Sequence, residues 1–548
     1  MANIKFSRKT FEKEIGKLDE KMREKISLFG TPLESFDNDE IELEIFPNRP
    51  DLVSYSGFKR GFLGFLGKEK GIKEYKVEKA LKDFEIKIEK EVGDIRPFTS
   101  CAIVRGLSLD DQKIKELIDL QEKLHFTIGR KRKKLAIGIY PLEEIKLPIT
   151  YTALRPDKIS FVPLESSRRM SGLEILQRHP TGKDYAHLLA GKEKFPVFVD
   201  ASGEIMSMPP IINSERTGRV SSKTKEVFVE CSGFDKNLLD KCLNIVVSAL
   251  AEMGGKIYEI RYRGEVKGMS PNFSKEKIKI SLEDTNNLLG LNLTEKELKY
   301  CLERMGHNYS KGVAEIAPWR VDILHEVDLI EDVAIAYGYD NFKVKIPDIS
   351  SVGKRDSNEV IKKKIADILI GLGLLEVSNY HLISKKDLIT KMGINEKNDK
   401  KFVEISSSKT DYNVLRRNLS SYIMKNFSEN SDSEYPQNIF EVGRVFEIEG
   451  EEIRESEKLG LGFAPGNYTN VRQVLDYLGR LLNLEFEVKD VSGVSNHFIE
   501  GRVGGIFLEG KQIGEIGEVH PKILKNWKIK MPVSILEIRL EEVFEKFK

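Results

Sequence analysis

Four acids crowd one short stretch, PWRVDILHEVDLIEDVAIAYGYDNF from Pro318 to Phe342: Asp322, Asp328, Glu331 and Asp332. Clustered carboxylate oxygens suit a hard cation such as Mg²⁺, which keeps several waters or shares ligands with a partner. At about 100° per residue, a helix over roughly Glu326 to Tyr337 puts Val327, Ile330, Val333, Ala334 and Tyr337 on one face and Asp328, Glu331 and Asp332 on the other. Gly338 stops that helix, because glycine takes a left-handed conformation without steric cost. Asp322 falls six residues before Asp328, where a strand ends, and can fold back toward the same face. A solvated acidic face accounts for the same spacing, so a lone helix leaves both readings open.

A second candidate lies in HPTGKDYAHLLAGKEKFPVFVDASGEIMSMPPIINSERTGRV, His179 to Val220. Pro209 and Pro210 force an extended backbone, so that polar Asn213, Ser214 and Glu215 follow a stiff apolar stretch as the wall and rim of a pocket. Downstream, VFVECSGFDKNLLDKCLNIVVSAL reads as a buried strand, a turn at Ser232-Gly233 and an amphipathic helix. Asp235 opens that helix, where an acid is also a plain N-cap. Upstream, Arg130, Lys131, Arg132, Lys133 and Lys134 form a basic run leading into a strand. Such a run serves either as a solvated loop or as a set of nucleic-acid phosphate contacts. Asn48-Arg49-Pro50-Asp51 is a turn whose Arg49 and Asp51 are open to contact with another domain or subunit.

Other chemistries lose ground. Gly182-Lys183 lacks the upstream glycine and following Ser or Thr of a phosphate loop, Gly371-Leu372-Gly373 lacks the third glycine of a dinucleotide loop, and no serine sits in G-x-S-x-G. Cys101, Cys231, Cys242 and Cys301 are far apart, without disulfide-framework or zinc spacing. The net charge of +1 gives no global field, so contact with nucleic acid must come from local patches. With 40% hydrophobic and 32% charged residues, the 548-residue chain reads as an ordinary folded protein of roughly three or four domains. MANIKFSRKT lacks the apolar core of a signal peptide and no apolar run approaches the roughly 20 residues of a membrane span, so a reducing, cytoplasmic location is expected.

The elements that must position these residues fall into four blocks. Residues 1–92 hold strand-like IKFSRKTFEKEI and IELEIF, then a helix. Residues 93–268 alternate strands and helices as a mixed α/β domain. Over 269–346, Thr294 and Glu297 make a capping box for a helix with Leu298, Cys301, Leu302 and Met305 on its inner face, ended by Gly306. Short strands around Tyr309–Ile316 and Trp319–Ile323 and then the acidic helix complete a winged-helix-like module. Residues 354–548 begin with the helix SNEVIKKKIADILIGLGL, and the strand-rich sequence after it suits an antiparallel sheet with helices packed on it.

Taken together, these stretches resemble the β subunit of phenylalanyl-tRNA synthetase in its shorter archaeal and eukaryotic form. The most specific pieces are IFPNRPDLVSYSG at 45–57, HPTGKDYAHLL with MPPIINSE, WRVDILHEVDLIEDVAIAYGYDNF, and IFEVGRVF with IGEIGEVHP, in order over nearly the whole chain. The resemblance implies a multidomain α/β and α+β fold. Its parts are an N-terminal B1-like domain, a B3/B4-like α/β editing domain, a winged-helix-like B5 domain and a catalytically silent class II synthetase-like antiparallel sheet domain. It also implies a cytoplasmic ligase of protein biosynthesis, an α2β2 heterotetramer whose α subunit joins phenylalanine to tRNA(Phe) using ATP. Mg²⁺ is then implied at Asp322, Asp328, Glu331 and Asp332 near the α subunit, although Asp332 is the shorter acid where the family often has Glu.

Silence of the last domain agrees with its own residues. Glu441-Val442-Gly443-Arg444 sits on the right kind of strand for a triphosphate-binding arginine, but GEIGEVHP carries no G-x-G-x-x-R to supply its partner. Editing follows from physical need, because a pocket shaped for phenylalanine rejects tyrosine by only about 100-fold. The resemblance aligns the editing pocket with Ile205, Ser214, Asp235 and Asn237, the last where the family has threonine; Ser214 and Asp235 are the expected catalytic residues, with Asn213 and Glu215 as neighbours. The alternatives are a tRNA-binding and assembly subunit without editing, and a Mg²⁺-dependent hydrolase built on the acidic helix, which lacks a nucleophile nearby.

Overall fold

The computed structural model describes residues 2–264, 266–346, 348–394, 402–491 and 495–547. The chain divides into two compact units, Met1–Ile346 and Pro347–Lys548.

The first unit opens with the strand Ala2–Ser7, which turns directly into the helix Arg8–Glu14. Ala2–Ser7 pairs with Glu40–Ile45, and Glu40–Ile45 with Leu33–Phe36, all antiparallel. The helix Tyr55–Phe65 lays Phe58, Phe62 and Phe65 against Phe6, Phe11 and Phe29. Two larger sheets follow. One has five strands in the order Val77–Glu78, Lys256–Tyr258, Phe98–Arg105, Glu226–Gly233, Leu135–Pro141. The other has seven, in the order Ile212–Asn213, Ile205–Met208, Phe195–Val199, Ile149–Leu154, Glu85–Ile88, Ile260–Gly264, Gly268–Ser270.

Alternation along Glu226–Gly233 explains how the layers stack. Val227, Val229 and Cys231 pack with Leu117, Leu120 and Leu124 of the helix Asp111–Phe126 and with Leu239 and Leu243 of the helix Lys236–Glu252. Phe228 points the other way, into a core shared with Tyr151, Phe198 and Met206 of the seven-stranded sheet. Both faces of this strand are thus largely apolar, with Glu230 and Ser232 its buried polar residues.

The module that carries the four acids has the strands Glu276–Lys279, Val313–Ile316 and Asn308–Ser310, with Val313–Ile316 central. Its helices are Leu282–Leu289, Glu295–Arg304 and Glu326–Tyr337. Thr294 and Glu297 form the reciprocal capping box, and Leu298, Cys301, Leu302 and Met305 are buried. Trp319–Ile323 is not the strand the sequence suggests. After Pro318, which has no N–H to give a ladder, Arg320 N–H bonds back to the Ala317 carbonyl at 3.0 Å and the chain runs on irregularly.

In the second unit a seven-stranded sheet has the order Leu375–Glu376, Gln437–Glu449, Glu452–Ala464, Ser534–Arg539, Lys511–Val519, Phe498–Leu508, Phe486–Lys489. All neighbours are antiparallel except the first pair. Phe440 and Leu536 face the helices Ser357–Gly371 and Tyr468–Leu482, while their neighbours Ile439 and Ile535 face Ser420–Glu429 and Pro521–Trp527. KFVEISSS, read from sequence as a strand, contributes among its described residues one isolated bridge, Glu404 to Val414.

Candidate functional site

A cleft of about 490 Å³ opens along the edge strand Leu135–Pro141, between the helix Asp111–Phe126 and residues 209–220. Its walls mix apolar side chains, among them Ile114, Leu117, Ile137, Ile139, Ile211 and Ile212, with polar and charged ones. Glu230 reaches the cleft from the next strand inward and is 2% exposed. Across the ladder it faces Gly138. A Cβ on Gly138 would lie 2.2 Å from the Tyr140 hydroxyl, so the absence of a side chain there is what lets the Tyr140 ring fold back toward Glu230.

The Tyr140 hydroxyl lies 2.8 Å from Ser207 Oγ and 3.3 Å from both Asn213 Oδ1 and Glu230 Oε1. Glu230 Oε2 is buried with no partner among the described residues. Burial pushes the Glu230 carboxyl up to about 8, against the pull of Arg96. At neutral pH it therefore holds its proton, with Tyr140 and Ser232 offsetting only part of the effect of burial. His125 also lines the cleft but is fully used: Nε2 accepts from Ile137 N–H at 2.7 Å, which leaves Nδ1–H to donate to Glu122 Oε1 at 3.1 Å. Burial lowers its pKa, so it stays a neutral structural group.

The residues expected from sequence scatter around this cleft. Asn213 and Glu215 line it. Ser214 is buried between them: its N–H bonds to the Met206 carbonyl at 2.8 Å and its carbonyl accepts from Gly218. Ile205 lies in the apolar cluster behind, with Ile175 and Phe195. Asp235 and Asn237 lie apart from the cleft. Both are exposed, outside the cleft lining, and Asp235 is the N-cap of Lys236–Glu252, with Oδ1 accepting from Leu238 N–H at 3.2 Å. The strand before them ends at Gly233. Sequence reasoning misses Glu230, although an acid inside VFVEC, an otherwise continuous apolar run, is a readable signal. Of the basic run, Arg130, Lys131, Lys133 and Lys134 are exposed, whereas Arg132 turns into the cleft.

The acidic helix spans Glu326–Tyr337 as the period predicts, and Gly338 after it has φ of 94°. Its faces differ from the expectation: Asp332 is buried and Val327 is 50% exposed. The physical reason is Arg320, itself 2% exposed. Its guanidinium binds Asp322 through Nε and Nη2 at 2.8 and 2.7 Å, and Asp332 through Nη2 at 2.9 Å. His307 Nε2 adds a second contact to Asp332 at 2.8 Å. Burial alone would raise the Asp332 carboxyl, but Arg320 and His307 outweigh it and hold the group down at about 2. Asp328 Oδ2 accepts from the N–H groups of Leu324 and His325, both at 2.8 Å, so it caps its own helix. Glu331 is exposed.

The four acids therefore do not converge, and among the described residues no group of three or more His, Cys, Asp or Glu is placed to hold a metal ion. As arranged here they do not fit Mg²⁺, because a fixed guanidinium already supplies the positive charge between Asp322 and Asp332. Arg49 and Asp51 form their own pair, with N–O distances of 2.9 Å, beside Arg320 and Trp319. Other bonds join the N-terminal domain to this module: Arg304 Nε donates to the Phe65 carbonyl at 2.8 Å and Ile72 N–H to Asn308 Oδ1 at 3.0 Å.

In the second unit, buried Glu441 pairs with Arg416 and accepts from Asn379 Nδ2 at 2.7 Å. Arg444, the candidate triphosphate ligand, lies half-exposed between Glu455 and Glu457, at 2.8 and 3.2 Å. Both arginines are committed to carboxylates.

Residues 278–339 match the family described as the tRNA synthetase B5 domain, and residues 343–540 the phenylalanyl tRNA synthetase beta chain CLM domain. Those two modules define the class, a subunit of an aminoacyl-tRNA ligase. Over 521 residues, 91% of this chain and 90% of the relative, it is 38% identical to the phenylalanine–tRNA ligase beta subunit of Thermococcus onnurineus. It is 36% identical to that of Archaeoglobus fulgidus over 95% of each chain. An N-terminal fragment of the phenylalanyl-tRNA synthetase beta subunit from Pyrococcus horikoshii superposes with a TM-score of 0.58 at 36% identity, covering 61% of this chain and 99% of the fragment. The chain belongs to the phenylalanine–tRNA ligase beta-subunit family. Among the described residues no helix is long and apolar enough to cross a membrane.

Two outcomes test this geometry. Asp332→Asn strips the buried Arg320 of a counter-charge and costs about 3–5 kcal/mol in denaturant unfolding, whereas exposed Glu331→Gln changes it by no more than about 0.5 kcal/mol; equal effects would contradict the burial assignment. The second is pH dependence. Glu230 titrates near 4.5 unfolded and about 8 folded, so the folded state binds the extra proton. Its contribution is present below the lower value and lost as pH rises through the upper one. Between about pH 5 and about pH 9, wild type should lose stability relative to Glu230→Gln, by about 1.4 kcal/mol for every tenfold difference in proton affinity between the folded and unfolded chain; parallel curves would contradict it.

Proposed function

We propose that this chain assembles with an α subunit as a tetramer of two of each in the cytoplasm, supporting ATP-dependent ligation of phenylalanine to tRNA(Phe) in the α subunit, and that its own cleft hydrolyses Tyr-tRNA(Phe). The observation that carries the second part is Glu230, a buried neutral acid with one oxygen unpaired among the described residues, beside a cleft that sets apolar side chains among polar ones. An aromatic ring gains by entering such walls, and a phenol brings a partner to Glu230 that phenylalanine lacks. A phenylalanyl ring would leave the buried oxygen unpaired, which is how a site built for a hydroxyl rejects the analogue without one.

The residues bind and orient rather than attack. Glu230, with Tyr140 and Asn213, anchors the ring. Arg130, Lys131, Lys133 and Lys134 offer exposed charge to the phosphates of the tRNA end. Water then attacks the ester carbonyl, the carbonyl–oxygen bond to the ribose breaks, and tyrosine and tRNA leave. Glu215 is held at the rim by Glu165 N–H at 2.7 Å and Arg219 at 2.9 Å, which sets the edge of the entrance. The second unit, with Arg416 and Arg444 already paired to carboxylates, serves as scaffold.

Tyr-tRNA(Phe) hydrolysis by the assembled complex is the test. Glu230→Ala should slow it at least about tenfold, the size of one lost buried hydrogen bond, with aminoacylation showing that assembly is intact, while Asp235→Ala should match wild type. Wild-type rates in Glu230→Ala would remove the cleft assignment, and no hydrolysis by the wild-type complex would leave an assembly subunit without editing.

A further inference from the structure

Three successive residues of the basic turn, Arg130, Lys131 and Arg132, have φ of 47°, 54° and 63°. This left-handed run is unfavourable for any residue carrying a Cβ, and it is sewn to the end of the preceding helix by Arg132 N–H to the His125 carbonyl at 3.1 Å. Its effect is to turn one side chain of the five inward. Arg132 has a side chain 13% exposed, while its four neighbours face solvent.

That side chain spans the cleft. Nη1 donates to the Ile211 carbonyl at 2.8 Å, Nη2 donates to Glu122 Oε1 at 2.9 Å, and the guanidinium lies 4.6 Å from the centre of the Tyr185 ring. Glu122 belongs to one wall and Ile211 to the other. Two residues after Ile211 comes Asn213, whose Oδ1 meets the Tyr140 hydroxyl beside Glu230. Only a planar fork with several donors can reach both acceptors and stack at once; a lysine cannot.

We propose that Arg132 is a positioning residue of the cleft, clamping the 209–220 wall to the helix Asp111–Phe126 so that Asn213 and Tyr140 meet at Glu230. It differs in this from Arg130, Lys131, Lys133 and Lys134, which keep the phosphate role. The inference rests on the cleft being the hydrolytic site. It gives the strained turn a purpose: the turn is held left-handed because the clamp needs Arg132 to point against the direction of its neighbours.

The test uses the assembled complex with Tyr-tRNA(Phe) and two readouts. In Arg132→Ala, kcat for hydrolysis should fall about a hundredfold, the size of a small misplacement of binding groups, with KM for the tRNA changed by no more than about twofold. Arg132→Lys should restore little, although it restores the charge. Lys133→Ala should instead raise KM and weaken its salt dependence. Independently, amide hydrogen exchange over 209–220 should quicken in Arg132→Ala and not in Lys133→Ala. If Arg132→Ala raises KM as Lys133→Ala does, with unchanged exchange, Arg132 is a phosphate contact and the proposal is overturned; unchanged kinetics and exchange overturn it as well. Faster exchange in a complex whose wild type hydrolyses nothing would uphold the clamp while sinking the hydrolytic reading.

Discussion

A carboxylic acid in the middle of an apolar strand is the constraint on which the first unit's site depends. Left ionised and unpaired, Glu230 would oppose folding by several kcal/mol. The structure meets that cost by keeping the proton on and by surrounding the acid with a few close-fitting neighbours: Gly138 without a side chain, Tyr140 folded over it, and Ser207 and Asn213 beyond. The seven-stranded sheet supplies Ser207 and Asn213, and the five-stranded sheet supplies Glu230, Gly138 and Tyr140. The site therefore exists only where the two sheets meet at an edge, and the layered packing of Phe228 against Tyr151 and Phe198 is what fixes that meeting.

The acidic helix shows the opposite solution to the same problem. There the acids ionise, because Arg320 lies between Asp322 and Asp332 and His307 completes the shell. The buried cation fixes the two acids in place, and the module is bonded to the N-terminal domain through Arg304 on the Phe65 carbonyl and Ile72 N–H on Asn308. Carboxylates that look alike in sequence thus divide into three uses: ion pairing for Asp322 and Asp332, helix capping for Asp328, and exposure for Glu331.

Local patterns are legible in the sequence where one element decides the outcome. The span of the helix Glu326–Tyr337, the capping box of Thr294 and Glu297 and the N-cap role open to Asp235 all follow from neighbours within a few residues. The polar residues Asn213 and Glu215 are also within reach, but the extended backbone expected at Pro209 and Pro210 is not found: the two prolines sit in the turn that joins Ile205–Met208 to Ile212–Asn213, closed by Ile211 N–H on the Met208 carbonyl at 2.9 Å. What stays hidden depends on distant partners. A helical wheel misjudges the face of the acidic helix because it treats every acid as solvent-seeking, whereas Arg320 draws Asp332 inward. Arg132 reads like its basic neighbours until the left-handed turn reverses it.

Recognition of a phenol by the cleft depends on Glu230 being a neutral acid at the pH where the protein works. The most direct measurement is an infrared difference spectrum of the full chain with isotope-labelled glutamate carboxyls, wild type minus Glu230→Gln. A protonated carbonyl stretch present at neutral pH in wild type, absent from the variant and lost as pH passes about 8, is the predicted result. A difference spectrum showing only the bands of an ionised carboxylate at neutral pH would contradict the account.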